Sequence, residues 1–407
     1  MADKHVTVIG GGVAGLSAAL ALSQFHLNVD VIESSPFLGG YAIRLACKAT
    51  DACVKCGACI VEEKLLQATQ NPRIRLFTNT RLENISQDQG FSYDRLQTPH
   101  RVDPDRCTLC GQCLELCPAG AVKTGTSAGH KPFFTLDPHL CLNVRDEDCQ
   151  ACQQGCPEDA ILLNEKTTRE SCQSDALILA TGFVPYDPEI KPYGYRRFEN
   201  VITNLELEEK LRSTAGPLVT SEGNDVQNIA FIQCVGSRDA KLNHLWCSRV
   251  CCGSSLRLAR LIEARQTETA VTIFYIDIQN FGKNFNQFYH KAQDQFNFQR
   301  SIPADIFERD DGRLQVSFAD SQTQEGREAT FDMVVLAIGL SPPQALSDQE
   351  NPIDRRNSDD GFIQIPESST GIFAAGAATG PKGIAESVAS AESAAWSTIR
   401  YLQRSQA

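Results

Sequence analysis

His5-Val6-Thr7-Val8-Ile9-Gly10-Gly11-Gly12-Val13-Ala14-Gly15, followed by Leu16-Ser17-Ala18-Ala19-Leu20-Ala21-Leu22, decides the fold. The first five residues read as a buried parallel strand, the glycine run as a tight turn and the last seven as a helix. A second strand, Asn28–Ile32, ends in Glu33. This is the strand–GxGxxG–helix–strand–acid unit of a dinucleotide site. Gly10 permits the turn, Gly12 lets the backbone approach a pyrophosphate, and Gly15 lets the helix pack closely on the strand. The helix N-terminus faces the phosphates and Glu33 suits ribose hydroxyls. Gly10, Gly12, Ala14, Gly15 and Glu33 are therefore candidate contacts, and the fold class is α/β.

Downstream segments resemble the FAD-dependent glutathione-reductase-like superfamily. Phe37-Leu38-Gly39-Gly40 is similar to its second phosphate contact. Ala176–Gly182, ending Ala180-Thr181-Gly182, is similar to its strand and turn at the domain crossover, repeated at Val334–Gly339. Gly371-Ile372-Phe373-Ala374-Ala375-Gly376 resembles its late flavin-approaching strand. The resemblance implies FAD and a two-dinucleotide-binding-domain fold like that of thioredoxin and glutathione reductases. It adds Gly39, Gly40, Ala180, Thr181, Gly182, Gly376, Ala377 and Lys382 to the candidate contacts. In that superfamily a second such unit binds NAD(P)H. Here the strand Asn228–Ile232 is followed by Gln233-Cys234-Val235-Gly236-Ser237-Arg238-Asp239, with one glycine where a phosphate-cradling turn needs two or three. A helix near Cys252–Ala264 and a strand near Ala270–Asp277 preserve the βαβ skeleton, without its usual ligand.

The 407 residues suffice for two or three domains. The formal charge of −12 argues against nucleic-acid and anionic-membrane binding. No run approaches 18 uninterrupted apolar residues, so no membrane span is predicted. The start, Met1-Ala2-Asp3-Lys4-His5, has no signal-peptide pattern. The expected location is cytoplasmic, where structural disulfides are disfavoured. Seventeen cysteines then call for another explanation, and sixteen fall into four groups of four. That is the ligand count of thiolate-held cubanes. Cys172 is left over and reads as a buried structural thiol. The histidines, His130 and His139 among them, form no metal pair at helical spacing.

Cys107-x2-Cys110-x2-Cys113-x3-Cys117-Pro118 and Cys141-x7-Cys149-x2-Cys152-x3-Cys156-Pro157 are two halves of one pattern, lying within Arg101–Asn164. Three thiolates hold one cluster and the fourth, before proline, crosses to the other. Cys107, Cys110, Cys113 and Cys156 are expected to seat one [4Fe–4S] cluster, and Cys141, Cys149, Cys152 and Cys117 a second. A structural zinc pair is the rival reading, which this spacing disfavours. The x7 gap carries Asp146-Glu147-Asp148, read as solvated charge or a reshaped docking face.

Cys234-x12-Cys247-x3-Cys251-Cys252 contains no CxxC, and adjacent cysteines suit zinc poorly; a redox dithiol would need fewer thiols. Together with Gln233–Asp239, Cys247-Ser248-Arg249-Val250-Cys251-Cys252, Phe274-Tyr275-Ile276-Asp277-Ile278 and Gly371–Ser390, this motif resembles the A-type subunits of heterodisulfide reductase over nearly the whole chain. Shorter relatives of that family include flavin subunits of quinone-interacting, sulfur-oxidising and benzoyl-CoA-reducing complexes. The resemblance implies that Cys234, Cys247, Cys251 and Cys252 hold an unusually ligated [4Fe–4S] cluster near the flavin. Relatives often carry a lysine near the flavin where this chain has Arg257, a fixed charge and a poor proton donor. Arg257 is thus the flavin-proximal candidate, and its identity counts against lysine-tuned bifurcation. Gly376-Ala377 departs from the superfamily's Gly-Asp, a departure the narrower family shares. Cys47-x5-Cys53-x2-Cys56-x2-Cys59 is read as a fourth [4Fe–4S] site, with a zinc knuckle and a partner-shared site as alternatives.

The expected layout is a discontinuous FAD-binding domain (1–100, 165–227 and 341–407), an inserted α+β ferredoxin-like module (101–164) and an NAD-domain-like region (228–340). The expected function is an electron-transfer subunit of a multi-subunit anaerobic oxidoreductase. The resemblance implies partner redox subunits of the B and C types of heterodisulfide reductase, ferredoxin, or a membrane quinone-reactive protein, and a homodimer within a larger complex. The alternative is a stand-alone NAD(P)H-dependent ferredoxin or disulfide reductase.

Overall fold

The computed structural model describes residues 4–103, 105–126, 132–137, 140–145, 147–279, 285–343, 356–366 and 370–404; Asp146, His130 and His139 lie outside them. The glycine-turn unit forms as β1 (His5–Ile9), α1 (Val13–Ser23) and β2 (Asn28–Ile32), continued by α2 (Ala58–Gln70) and β3 (Ile74–Phe77). β4 (Thr80–Asp88) and β5 (Gly90–Gln97) lead into a module containing α3 (Gln112–Leu116), β6 (Val122–Thr126), β7 (Pro132–Leu136) and α4 (Ala151–Gln154). The chain returns as β8 (Thr168–Ser174), β9 (Ala176–Leu179) and β10 (Val184–Pro185).

β11 (Val201–Thr203), α5 (Asn204–Ser213), β12 (Asn228–Val235), α6 (Cys251–Arg265), β13 (Ala270–Phe274), α7 (Phe285–Gln295) and β14 (Asn297–Gln299) follow. Then come an antiparallel meander of β15 (Asp305–Glu308), β16 (Leu314–Ala319) and β17 (Gly326–Phe331), and next β18 (Met333–Ile338) and β19 (Leu340–Ser341). The chain closes with β20 (Arg356–Asn357), β21 (Ile363–Gln364), β22 (Ile372–Ala374) and α8 (Ile384–Arg404).

Two five-stranded parallel sheets organise these elements, in the orders β22-β9-β1-β2-β3 and β11-β18-β12-β13-β14. Near-continuous apolar strands require cover on both faces. In the first sheet α1, α2 and α8 supply it on one side, joining Val6, Val8, Val29, Val31 and Ile178 in one core. α1 is alanine-rich, and that lets it pack closely on α8. In the second, Phe231, Ile273 and Val335 pack under Leu256, Leu258 and Ala259 of α6. The two chain crossings between sheets run side by side as the β10–β19 ribbon.

The structure moves one expected boundary. β11 pairs with β18, and Leu207, Leu211, Leu218 and Val226 pack into the second core, so 201–227 belongs with the second sheet and not with the flavin domain. Cys172 also differs from expectation. It lies inside β8 opposite Tyr93 and is half-buried, because β8 sits at the edge of the small β4–β5–β8 sheet.

A buried ion pair joins the two domains. Lys48 Nζ lies 2.6 Å from Glu208 Oε2, with both side chains 2% exposed. The same oxygen accepts from Ala46 N, and Lys48 also donates to the Ala46 carbonyl. Removing one partner leaves an uncompensated buried charge, at a cost of about 3–5 kcal/mol. We expect Glu208→Ala to lower the denaturant midpoint accordingly. The double replacement Lys48→Met with Glu208→Leu should recover most of that loss, because two apolar groups leave no orphaned charge.

Candidate functional site

The glycine turn after β1 is built as a floor. Gly10 adopts φ 111°, and a Cβ there would lie 2.2 Å from the Ala180 carbonyl oxygen. At Gly12 a Cβ would meet nothing nearer than Gly40 Cα at 3.9 Å, so the backbone faces open space. Gly39 N donates to the Gly11 carbonyl (2.8 Å), bringing the second glycine pair against the first. No side chain caps α1, so its first N–H groups remain available to an anion. Glu33 is held by Gly11 N at 2.7 Å and Ser35 N at 2.8 Å. The Thr181 hydroxyl is buried without a partner beside this floor.

Gly376 is forced by Ala14, whose Cβ would lie 2.5 Å from a new Cβ. Lys382 Nζ bonds Thr379 Oγ1 at 2.8 Å, and burial pulls its pKa down. An open glycine floor, an uncapped helix start, an acid at the next strand end and an orphaned hydroxyl together fit a dinucleotide.

The module's cysteines form two closed sets. Cys107, Cys110, Cys113 and Cys156 line one small pocket. Cys117, Cys141, Cys149 and Cys152 line another. Each set takes three sulfurs from one half of the repeat and one from the other. The halves also match in detail: Ala121 N donates to Cys117 Sγ at 3.2 Å, and Ala160 N to Cys156 Sγ at 3.3 Å. Burial and the neighbouring sulfurs push Cys152 up to about 11 and Cys113 upward as well. Among the described residues no three His, Cys, Asp or Glu converge at single-ion spacing. The sulfurs ring a void, an arrangement that fits a cluster better than a lone tetrahedral ion.

The Cys234 group gathers where a nicotinamide phosphate turn would lie. β12 is the central strand of its sheet and α6 starts above its C-terminal end. Cys251 and Cys252 occupy the first turn of α6, both buried. Cys251 Sγ reaches the Ile338 carbonyl at 3.6 Å and Cys252 Sγ the Asp277 carbonyl at 3.9 Å. Cys234 sits in β12 at φ 60°. Burial pushes Cys252 up to about 12 and Cys251 well above the ordinary thiol value, with the other sulfurs of the set adding repulsion. Gly236 provides no cradle, since a Cβ there would lie 2.0 Å from the Tyr186 ring. Its glycine is used for packing.

The first cysteine group is more open. Cys47, Cys53 and Cys59 are exposed and Cys56 is half-buried. Cys47 lines a cleft with Asp51, Arg260 and Arg265 that includes none of the other three. Arg257 is aimed at this loop: its Nε donates to the Val54 carbonyl at 3.3 Å, its guanidinium lies 5.4 Å from the Phe288 centroid, and Cys56 acts on it electrostatically.

One connection had no signal in the sequence. Phe37, just before the Gly39–Gly40 pair, packs on Phe133 of the module with centroids 5.2 Å apart and rings tilted by 57°, and a Cβ at Gly125 would lie 1.7 Å from the Phe37 ring. His100 meets Phe133 edge-on and bonds Thr78 Oγ1 (2.8 Å) and Thr135 Oγ1 (3.0 Å). Four residues spread over about a hundred positions carry no common pattern, so only tertiary packing reveals them.

Burial lowers the His100 pKa, so the unfolded chain binds a proton that the folded chain resists. Stability from this group is present above about pH 6.5 and falls as pH drops below it. His100→Gln should flatten the pH dependence of the unfolding midpoint between pH 5 and 7. Gly10→Ala should abolish flavin retention, read as loss of the yellow absorbance from a chain with unchanged far-UV circular dichroism.

A pyridine nucleotide-disulphide oxidoreductase family model matches residues 4–395. The A-type subunit of the H(2):CoB-CoM heterodisulfide,ferredoxin reductase of Methanothermobacter marburgensis is 34% identical over 97% of this chain and 63% of its own length. Its counterpart in the ferredoxin:CoB-CoM heterodisulfide reductase of Methanosarcina acetivorans is 31% identical over 96% of this chain and 56% of its own. The chain thus spans under two thirds of these relatives. Among solved structures, T. acidophilum thioredoxin reductase superposes with a TM-score of 0.55 at 13% identity, covering 98% of this chain and 99% of that one. Lactococcus lactis thioredoxin reductase gives 0.54 at 15% identity, over 99% and 100%. These two likenesses concern the fold alone.

Proposed function

Given that the chain belongs to the pyridine nucleotide-disulphide oxidoreductase family and resembles the A-type subunits of heterodisulfide reductase along nearly its whole length, we propose that it is an FAD- and [4Fe–4S]-containing electron-transfer subunit. Its terminal substrate site lies on a partner. The observation that carries this reading is the pair of crossed four-cysteine pockets in a module that packs, through Phe133, on Phe37 beside the Gly39–Gly40 pair. Bound FAD would supply two-electron chemistry and bound clusters one-electron chemistry, the pairing needed to interconvert the two kinds of traffic.

The protein's own part is positional. The Gly10–Gly15 turn and α1 hold the diphosphate, and Glu33 holds a ribose. Gly39, Gly40, Ala180, Thr181, Gly182, Gly376, Ala377 and Lys382 complete the cradle. Cys107, Cys110, Cys113 and Cys156 seat one cluster, and Cys117, Cys141, Cys149 and Cys152 a second. Cys234, Cys247, Cys251 and Cys252 seat a third, where α6 directs its N–H groups at a negatively charged guest. Cys53, Cys56 and Cys59 belong to a fourth site, to which Cys47 or a partner contributes. Partners are the other redox proteins of such a complex, reached from the cytoplasm. Among the described residues no helix is long and apolar enough to cross a membrane.

The stand-alone NAD(P)H reading requires an open phosphate turn after β12, and Gly236 packed on Tyr186 does not provide one. Anaerobic reconstitution should yield one FAD and at least three clusters, about twelve iron and twelve sulfide per chain. Less than that, or rapid flavin reduction by NADPH in the isolated chain, overturns the reading.

A further inference from the structure

The turn around Cys53 and Cys56 repeats, in backbone, the first cysteine turn of the inserted module. Lys55 and Leu109, each just before the second cysteine, are left-handed at φ 53° and 60°, and Gly57 and Gly111, each just after it, are both at φ 83°. Gly57 is the N-cap of α2 and Gly111 that of α3, so Cys59 and Cys113 are each the second residue of a helix. Lys55 N also donates to Cys53 Sγ at 3.4 Å. A lysine or a leucine keeps a left-handed backbone only where its surroundings fix it there. In the module the sulfurs of Cys107 and Cys113 belong to a small core. Cys53 and Cys59 are exposed, so their turn takes its support from elsewhere.

That support comes from helices of the second sheet, which hold three successive points of the loop. Glu208 of α5 accepts from Ala46 N and pairs with Lys48. Arg260 of α6 approaches Asp51 at 3.7 Å. Arg257, three residues earlier and hence on the same helix face, donates from Nε to the Val54 carbonyl at 3.3 Å, between Cys53 and Cys56. The arginine is itself confined. Its guanidinium lies 5.4 Å from the Phe288 centroid, and a Cβ at Gly253 would lie 2.7 Å from Nη1. One helix thus carries Cys251 and Cys252 in its first turn and, further along, the brace of a different cysteine set.

We propose that Arg257 is a positioning residue for the Cys53, Cys56 and Cys59 site: by holding the Val54 carbonyl it fixes the ligand turn against α6. The site is therefore complete only while the loop rests on the second sheet's helices. The proposal rests on the reading of those three cysteines as part of a cluster site.

The test measures iron, and amide hydrogen exchange over residues 50–57, in the anaerobically reconstituted full chain. EPR signals of the module clusters serve as the reference for a folded, loaded protein. Cys56→Ala first defines the iron that belongs to this site, about four per chain. Arg257→Met, which keeps the apolar stem and removes the donor, should lose the same iron and leave the module signals in place. Arg257→Lys restores a donor and should retain it. Arg257 is also a cation near Cys56, so charge has to be separated from position. In a Cys59→Ala background, where the site is disabled in both chains, Arg257→Met should still speed exchange over 50–57 at least threefold. Gly253→Ala crowds the guanidinium without removing it, serves if the methionine variant fails to fold, and should speed the same exchange. Full iron in Arg257→Met, equal iron loss in the lysine and methionine variants, or unchanged exchange over 50–57 overturns the proposal alone. No loss of iron in Cys56→Ala overturns the cluster reading of this site and the proposal with it.

Discussion

Sulfur cannot be gathered in a dry interior as bare thiolate without a compensating positive charge, and that constraint shapes most of this molecule. Cys251 and Cys252 are buried at the start of a helix, and desolvation together with the neighbouring sulfurs drives their ionisation far uphill. The same holds, more mildly, for Cys113 and Cys152 in the module. Sulfurs gathered in this way make a poor core and a good coordination sphere. The fold around them then has to offer donors: backbone N–H groups at Cys117 and Cys156 and the start of α6 at Cys251.

The two parallel sheets show one architecture carrying two kinds of turn. After β1 the turn is short, glycine-lined and open. After β12 the corresponding connection runs from Gly236 to Val250 before α6 begins, and its glycine is filled by Tyr186. The position at the strand end and helix start is preserved, and both positions favour negative charge. A phosphate turn on one sheet and a sulfur nest on the other are two answers to the same electrostatic opportunity.

Much of this is legible in the residues because it is local. The Gly10–Gly15 turn, Glu33 and the two four-cysteine runs that end before proline lie within short windows, where spacing alone dictates geometry. The start of α6, too, can be read to within a residue of Cys252. What escapes is non-local. Strand β11 is three residues long and has no period of its own; only its pairing with β18 assigns it to the second sheet. The Lys48–Glu208 pair joins residues far apart in the chain, and neither residue type suggests burial. Arg257 is expected beside the flavin on family grounds, and its visible contact is the Val54 carbonyl between Cys53 and Cys56. Side-chain reach along a helix is not visible in sequence spacing.

The module enters after β5 and leaves before β8, and these strands are antiparallel neighbours with Gln97 opposite Thr168. Its two ends therefore emerge about 5 Å apart. A guest domain attached at such a point adds almost no loop-closure penalty to its host, because the host already holds the attachment points together. The surrounding sheet would close equally well over a simple hairpin. The inserted module is thus a graft whose junction the host tolerates with or without it, and gain or loss of such a segment needs no rebuilding of the surrounding sheets.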